Sequence, residues 1–146
     1  MAQAKSDAQQ RQSATLPRQM PNPEGRQEDC LQINYHPQGL INLRNSGDVS
    51  KIMSRHFGTA LPQEANRFSV SGDRRALWLG PDESLLMCAD QDAAELHRTL
   101  GTQLTDQHFQ LTLLSDALAV YELNGPYVRE ILAKGCALDL HVSVFR

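Results

Sequence analysis

The stretch ALWLGPDESLLMC, residues 76–88, decides the fold because it predicts two strands joined by a tight turn. Two apolar runs flank Gly80-Pro81-Asp82-Glu83. Pro81 presets φ for the second turn position, and Asp82 is a residue that turns favour. The sequence therefore predicts a β-hairpin, and a hairpin pairs its strands antiparallel.

Upstream of the hairpin, the pattern predicts a strand and then a helix. Residues 40–44 are a short strand candidate, and Asp48 is a plausible N-cap for the helix that follows. Apolar residues recur there at i, i+3, i+4 and i+7/8, which gives the helix one apolar face. Gly58 is well placed to end this helix in the left-handed conformation.

Downstream of the hairpin, a second helix and two strands are predicted. Asp90 is expected to cap the helix and Gly101 to end it. Residues 109–113 alternate apolar and polar side chains, as a half-buried strand does. Residues 117–123 are apolar on both faces, which indicates a central strand.

The last predicted helix has start and stop signals at both ends. Gly125 ends the preceding strand, Pro126 takes the first helical position, and Gly135 terminates the helix. Residues 138–142 then alternate as a final strand. Hairpins between single helices predict an α+β fold, a mainly antiparallel sheet with helices on one face.

The first 38 residues differ in composition from the rest. They hold eight glutamines and four of the seven prolines, with few side chains that could offset the entropy cost of ordering the backbone. We expect a disordered arm over residues 1–38 and a folded domain over residues 39–146. Residues 30–35 are apolar enough to dock on a partner or on the domain.

Overall composition excludes several classes of protein. A net charge of −3 removes the positive field that nucleic-acid binding requires. No apolar run approaches the ~20 residues of a membrane span, and the N-terminus lacks a secretory signal, so we expect a cytoplasmic protein. Cys30, Cys88 and Cys136 are too few and too widely spaced for a disulfide framework or a metal knuckle.

A search for catalytic groups from the residues alone gives no active site. No phosphate-binding glycine loop or Gly-x-Ser-x-Gly elbow occurs, and no two histidines share helical spacing. Asp116 and Asp139 could orient a cofactor amine or act as bases, but turns and caps also favour Asp there. Trp78 could stack on a flavin or pterin, although a lone Trp in an apolar strand is more often a core or interface residue.

Two segments resemble one known family. Residues 76–86 are similar to the hairpin "alWLGPDEWLL" of the sarcosine oxidase γ subunit family, and residues 114–141 resemble that family's next block, which ends in Leu-Ala-Lys-Gly-Cys-x-Leu-Asp-Leu-His. Ser84 replaces the second Trp of the hairpin, and Val128 stands where the family often has Ala. The family also continues where this chain stops at Arg146, so the resemblance implies a domain incomplete at its C-terminus.

The resemblance implies a fold like the first domain of the glycine-cleavage aminomethyltransferase. It further implies a non-catalytic assembly subunit of heterotetrameric sarcosine oxidase, which converts sarcosine to glycine with H2O2 formation and one-carbon transfer to tetrahydrofolate. Partners would be the α, β and δ subunits, and FAD, FMN, NAD, tetrahydrofolate and zinc would lie on them. This chain would hold no cofactor, no metal and no active site of its own.

The resemblance also marks residues expected at an interface. They are Trp78, Gly80, Pro81, Asp82, Asp116, Gly125, Pro126, Lys134, Gly135, Cys136 and Asp139. The alternative is a stand-alone folate-binding or one-carbon transfer module, in which Asp116 or Asp139 would contact the pterin.

Overall fold

The computed structural model describes residues 31–141, 143 and 144, and these form two compact units. One unit contains Pro37–Ala119 and the described residues from Ala137 onward; the other contains residues 31–36 and 120–136. Residues 1–30, which include most of the predicted arm, lie outside the described range. Residues 32–36, assigned to the same arm, form a strand.

The larger unit is built on a five-stranded antiparallel sheet. Its strands are β2 (Gln38–Asn45), β3 (Phe68–Ser71), β4 (Arg74–Gly80), β5 (Glu83–Ala89) and β6 (Phe109–Leu113), where β1 denotes the strand at Gln32–His36. The spatial order is β3-β4-β5-β2-β6. The predicted hairpin is confirmed as β4 and β5, and the predicted strands at residues 40–44 and 109–113 are confirmed as β2 and β6.

Helices cover one face of this sheet. The first, α1, is α-helical over Ser50–Ile52 and continues as a π-helical turn over Met53–Phe57. The second, α2, spans Ala93–Gln103 after a 3-10 turn at Asp90–Asp92. The core between the layers contains Ile41, Leu43, Ala76, Leu86 and Cys88 from the sheet and Met53, Phe57, Leu96, Leu100 and Leu104 from the helical layer. The predicted α+β architecture is confirmed.

The ends of α1 follow the predicted signals closely. Gly58 has φ 93° and ends the helix, its N–H donating to Met53 O at 2.9 Å. The N-cap residue is Val49 rather than Asp48. Asp48 Oδ1 nevertheless accepts a hydrogen bond from the Ser50 N–H at 2.9 Å, so it does satisfy a backbone donor of the first turn.

The predicted ends of α2 are wrong. Asp90 lies in the 3-10 turn, whose N-cap residue is Ala89, and the N-cap residue of α2 itself is Asp92, which makes no side-chain capping hydrogen bond. The helix continues through Gly101 to Gln103, because Leu104 is as fully buried as Leu100 and its N–H bonds Leu100 O at 2.9 Å. Burial of a leucine one turn further on therefore outweighs the glycine.

The smaller unit is a two-stranded ribbon and a short helix. Strand β1 pairs antiparallel with β7 (Val120–Asn124), and helix α3 spans Val128–Ala133. His36 Nε2 contacts Glu122 Oε2 at 2.9 Å, and the rings of Tyr35 and Tyr121 lie 5.7 Å apart. Tyr35 faces Tyr121 directly and His36 is a diagonal neighbour of Glu122, and cross-strand pairs of both kinds stabilise a ribbon that is otherwise marginal.

Three predictions for the C-terminal part are wrong. Residues 117–123 do not form a central strand, since Ala117 and Leu118 lie in a turn onto Leu114 O and β7 pairs with β1 alone. Pro126 precedes α3, whose N-cap is Tyr127, rather than occupying its first position. The described residues after Ala133 contain no strand, so the strand predicted over residues 138–142 does not form at residues 138–141, and residue 142 lies outside the described range. Across residues 31–141, no helix has the length and apolar character needed to cross a membrane.

Candidate functional site

The turn between β4 and β5 is fixed to the neighbouring strand. Trp78 lies opposite Ser84, and the register shifts between Trp78 and Gly80, which marks a bulge beside the turn. Pro81 and Asp82 are exposed at its tip. The Asn45 N–H, at the end of β2, donates to Asp82 O at 3.0 Å. This bond ties the hairpin to the loop that follows β2.

A cleft of about 670 Å³ opens beside this turn. Three segments of the larger unit line it: the loop after β2 together with the start of α1, the Leu-Pro turn, and the hairpin end. The lining residues are Asn45, Ser46, Gly47, Asp48, Val49, Ser50, Leu61, Pro62, Gln63, Trp78, Gly80, Pro81, Asp82, Glu83 and Ser84. Trp78, Gly80, Pro81 and Asp82, four residues selected from the sequence, are thus brought together here.

The cleft carries negative charge. Asp48, Asp82 and Glu83 line it, and none of its lining residues is a lysine, arginine or histidine. Hydrogen bonds from the side chain and backbone of Ser50 hold the pKa of Asp48 below its usual value, so this carboxylate is ionised at neutral pH. Glu83 is partly neutralised from outside the cleft by Arg44 at 3.3 Å.

Two residues at the paired end of the hairpin have unusual surroundings. Trp78 is half-buried, and its backbone N–H donates to Arg67 O at 3.0 Å. Ser84 opposite it is 6 % exposed and lines the same cleft. Among the described residues, every side-chain polar atom sealed from solvent has a partner.

The middle of the second predicted motif, residues 120–136, lies in the smaller unit. Gly125 has φ 148°, a backbone conformation that favours glycine, and Pro126 follows it in the turn before α3. Lys134 is the C-cap residue of α3, and Gly135 N–H donates to Leu132 O at 3.0 Å. Cys136 is a partly exposed free thiol.

Asp116 and Asp139 both lie in the larger unit. Asp116 is exposed in the turn after β6. Asp139 Oδ1 accepts a hydrogen bond from the His141 N–H at 2.9 Å, a local turn interaction typical of Asp. Within the described part of the chain, no group of three His, Cys, Asp or Glu side chains could hold a metal ion.

Several cleft residues were not selected from the sequence as site residues. Asp48 was interpreted only as a helix cap, Leu61-Pro62 only as a loop, and Ser84 only as a departure from the family pattern. The polar run from Asn45 to Asp48 is a usable signal, since such a run after a strand often forms a binding loop. Its position beside the hairpin, however, depends on pairing between β2 and β5.

The comparisons with known proteins agree with one another. Residues 47–146 of the chain match the family described as "Sarcosine oxidase, gamma subunit family". The chain belongs to the sarcosine oxidase gamma subunit family. The family match covers the whole candidate cleft apart from Asn45 and Ser46. It also covers the second motif in the smaller unit.

Two curated relatives carry the name of the same subunit. "Sarcosine oxidase subunit gamma" of Corynebacterium sp. (strain P-1) is 40 % identical over 108 residues, 73 % of this chain and 52 % of that protein. The protein of the same name from Arthrobacter sp. is 37 % identical over 92 residues, 61 % of this chain and 43 % of that protein. The chain therefore spans about half the length of these sarcosine oxidase gamma subunits.

A solved structure has the same fold. A chain of heterotetrameric sarcosine oxidase from Corynebacterium sp. U-96, in complex with pyrrole 2-carboxylate, matches with a TM-score of 0.71 and 27 % identity. The match covers 83 % of this chain and 63 % of that chain. The family assignment rests on the sequence comparisons, and the structural match to a chain of a heterotetrameric sarcosine oxidase agrees with it.

Proposed function

We propose that this chain acts as the gamma subunit of a heterotetrameric sarcosine oxidase, as an assembly subunit without catalytic residues. The observation that carries the proposal is the family match over residues 47–146, joined by the structural match to a chain of a heterotetrameric sarcosine oxidase. The partners would be the α, β and δ subunits, in the cytoplasm. FAD, FMN, NAD, tetrahydrofolate and zinc would lie on those partners.

The reaction of the whole complex is part of the same proposal. It is the oxidative demethylation of sarcosine to glycine, with H2O2 formation and transfer of the one-carbon unit to tetrahydrofolate. This chain would contribute surface rather than chemistry. The family match and the curated relatives favour the gamma subunit over a stand-alone folate-binding module.

Exposed apolar side chains support a role in assembly. Phe68 and Val70 on the edge strand β3 are 49 % and 51 % exposed. Phe68 lies opposite Leu77. Because side chains alternate along a strand and the adjacent Ala76 is buried against the helical layer, Leu77 and Phe68 lie on the other face of the sheet. Apolar side chains on the uncovered face of a sheet are typical of a surface that a partner covers.

The hairpin tip and the segment at residues 125–136 are proposed as parts of the interface. Trp78, Gly80, Pro81 and Asp82 lie at one exposed end of the sheet, and Tyr127 and Ile131 of the other segment are 51 % and 39 % exposed. A half-buried Trp within a ring of polar residues is the arrangement that dominates binding energy at many interfaces.

Copurification tests the subunit assignment. The tagged full-length chain is co-expressed with the cognate α, β and δ subunits, and the purified material is assayed for flavin absorbance and for sarcosine-dependent H2O2 formation. We expect the tag to recover a flavin-containing complex. Recovery of the chain alone, with the other subunits soluble in the same lysate, would remove the assignment.

A pair of charge-reversal variants tests the hairpin separately. Asp82→Lys changes an exposed residue of the turn, and Asp106→Lys makes the same change at an exposed position away from the cleft. We expect Asp82→Lys to reduce recovery of the complex at least tenfold and Asp106→Lys to leave it unchanged. Equal recovery of both would reject the hairpin as an interface while leaving the subunit assignment intact.

A further inference from the structure

We propose that Asn124 is a site of spontaneous chemical modification, at which the side-chain amide is lost and the residue becomes aspartate or isoaspartate. Asparagine is among the thermally labile residues of proteins. Asn124 is one of six asparagines in the sequence, and it is the only one that a glycine follows. The proposal concerns the chemistry of this chain and does not depend on the subunit assignment.

The reaction begins with attack of the Gly125 backbone nitrogen on Cγ of the Asn124 side chain. The new bond closes a five-membered ring, the bond from Cγ to the side-chain nitrogen breaks, and ammonia leaves with the proton that the attacking nitrogen loses. Water then opens the ring at either of its two carbonyl carbons. One opening gives aspartate, and the other gives isoaspartate, whose main chain runs through the former side chain. The sum consumes one water and releases one ammonia, without an oxidant or a reductant.

The glycine leaves the attacking nitrogen accessible. It has no Cβ that could obstruct the approach of the Asn124 side chain, and it adopts backbone conformations that other residues rarely adopt. Gly125 uses this freedom, since its φ is 148°. Both Asn124 and Gly125 are exposed, so water reaches the ring that forms.

The position at the end of β7 gives the backbone the freedom that ring closure needs. Asn124 is the last paired residue of the strand, opposite Gln32, and Gly125 follows the end of the strand. The ribbon has only two strands, and neither of them nor α3 contains a buried residue. Such ribbons are marginally stable, and elements with little burial open most readily. Ring closure at Asn124 therefore requires only the fraying of a strand end.

Asparagines of the five-stranded sheet provide an internal comparison, because the fold holds their side chains. Asn42 lies in β2, and its Nδ2 donates to Glu83 Oε1 at 2.8 Å. Asn45, at the end of the same strand, donates from Nδ2 to Gly47 O at 2.7 Å. The residue that follows each of them, leucine or serine, has a Cβ. We expect both to outlast Asn124 in the folded chain.

Conversion to isoaspartate would change the ribbon. The main chain gains one carbon at the last residue of β7, so the pairing with Gln32 no longer fits the register. Either product also places a carboxylate two residues from Glu122, on the same face of the strand, where like charges repel. We therefore expect amide hydrogen exchange over residues 32–36 to be faster in the modified chain.

Peptide mass spectrometry of the full-length chain provides the test. The purified protein is kept in warm, mildly alkaline buffer, and conversion at each asparagine is followed by the mass gained when an NH2 group becomes OH. We expect Asn124 to convert about tenfold faster, or more, than Asn42 and Asn45, because it lies at a strand end that opens readily. The same incubation in guanidinium chloride gives the rate of the unfolded chain. The folded chain should convert Asn124 at no less than about a tenth of that rate. An isoaspartate-specific methyltransferase identifies the isoaspartate product.

Asn124→Gln is the matched control variant. It keeps a carboxamide, but its extra methylene would require a six-membered ring, which closes far more slowly. We expect no conversion at this position in the variant, unchanged rates at Asn42 and Asn45, and unchanged hydrogen exchange over residues 32–36 after the incubation. A rate at Asn124 within tenfold of that at Asn45, or below a tenth of the unfolded rate, would overturn the proposal.

Discussion

A single methyl group at Gly39 should destabilise this protein more than any exposed substitution. Gly39 is a buried residue of β2, the strand between β5 and β6. A Cβ built there would lie 2.7 Å from Ala93 Cβ, 2.7 Å from Cys88 Sγ and 2.9 Å from Ala89 O. Ala93 Cβ and Ala89 O cannot move away by a side-chain rotation, whereas Cys88 Sγ can. Gly39→Ala therefore forces β2 away from both β5 and the start of α2.

The expected magnitude follows from overpacking. Adding a carbon to a filled core costs about 1–3 kcal/mol, and three contacts under 3.0 Å place this position at the upper end. With an m-value of about 1.5 kcal/mol/M, a loss of about 3 kcal/mol lowers the urea midpoint by about 2 M. The assay is urea unfolding of the full-length chain, followed by the emission of Trp78 and by far-UV circular dichroism.

Two further variants make the test specific. Gly101→Ala lies within α2, where an added Cβ meets nothing within 4 Å, and should stabilise the chain by up to about 1 kcal/mol through helix propensity. Cys88→Ala removes one of the clashing atoms, so the Gly39→Ala/Cys88→Ala pair should cost less than the sum of its members. If Gly39→Ala unfolds within about 0.5 kcal/mol of the unchanged chain, the packing described here is incorrect.

Three other measurements probe separate features. Arg74→Met removes the guanidinium that donates to Phe57 O at 2.7 Å, and should lower the unfolding free energy by about 1–3 kcal/mol in urea titrations. Burial raises the pKa of Cys88 to about 11, so at pH 8 only about 0.1 % of this thiol is ionised. Iodoacetamide should therefore modify Cys88 at least a hundredfold more slowly in the folded chain than in the urea-unfolded chain. Peptide mass spectrometry measures the two rates. The pKa of the Asp48 carboxyl, measured by NMR, should lie below its ordinary value and should rise in Ser50→Ala, because hydrogen bonds from Ser50 lower it. The stabilisation by this carboxylate is present at neutral pH and is lost as the pH falls through that pKa. A midpoint unmoved by Ser50→Ala would argue against that hydrogen bond.

The parts of the fold that local sequence encodes were predictable. The hairpin needs only Pro81 and Asp82 between two apolar runs, and its turn lies where that pattern places it. Helix α1 follows from a spacing that buries Met53 and Phe57 on one side, and it ends at the predicted glycine. Each of these elements is specified by residues that are close together in the sequence, within about two helical turns or within a single hairpin.

Elements that depend on a distant partner were not predictable. Residues 117–123 were predicted to form a central strand, yet the strand that forms, β7, is half of a ribbon, and its Tyr121 is 58 % exposed. Its pairing partner, β1, precedes it by more than eighty residues, and apolar content alone does not distinguish a central strand from one side of a ribbon. The same reasoning failed at residues 138–141, where alternation of apolar and polar side chains indicated a strand but did not identify a pairing partner.

The candidate cleft also depends on residues that are distant in sequence, because the register between β2 and β5 creates it. In that register Arg44 lies opposite Glu83, so the next residue, Asn45, reaches the turn and bonds Asp82 O. A slip of one residue would move Ile41 and Leu43, both 0 % exposed, to the other face of the sheet. Burial of these two side chains therefore fixes the register, and the register brings the loop after β2 against the hairpin. The carboxylates line one cleft as a consequence of core packing, which explains why the WLGPDE motif alone revealed only part of the site.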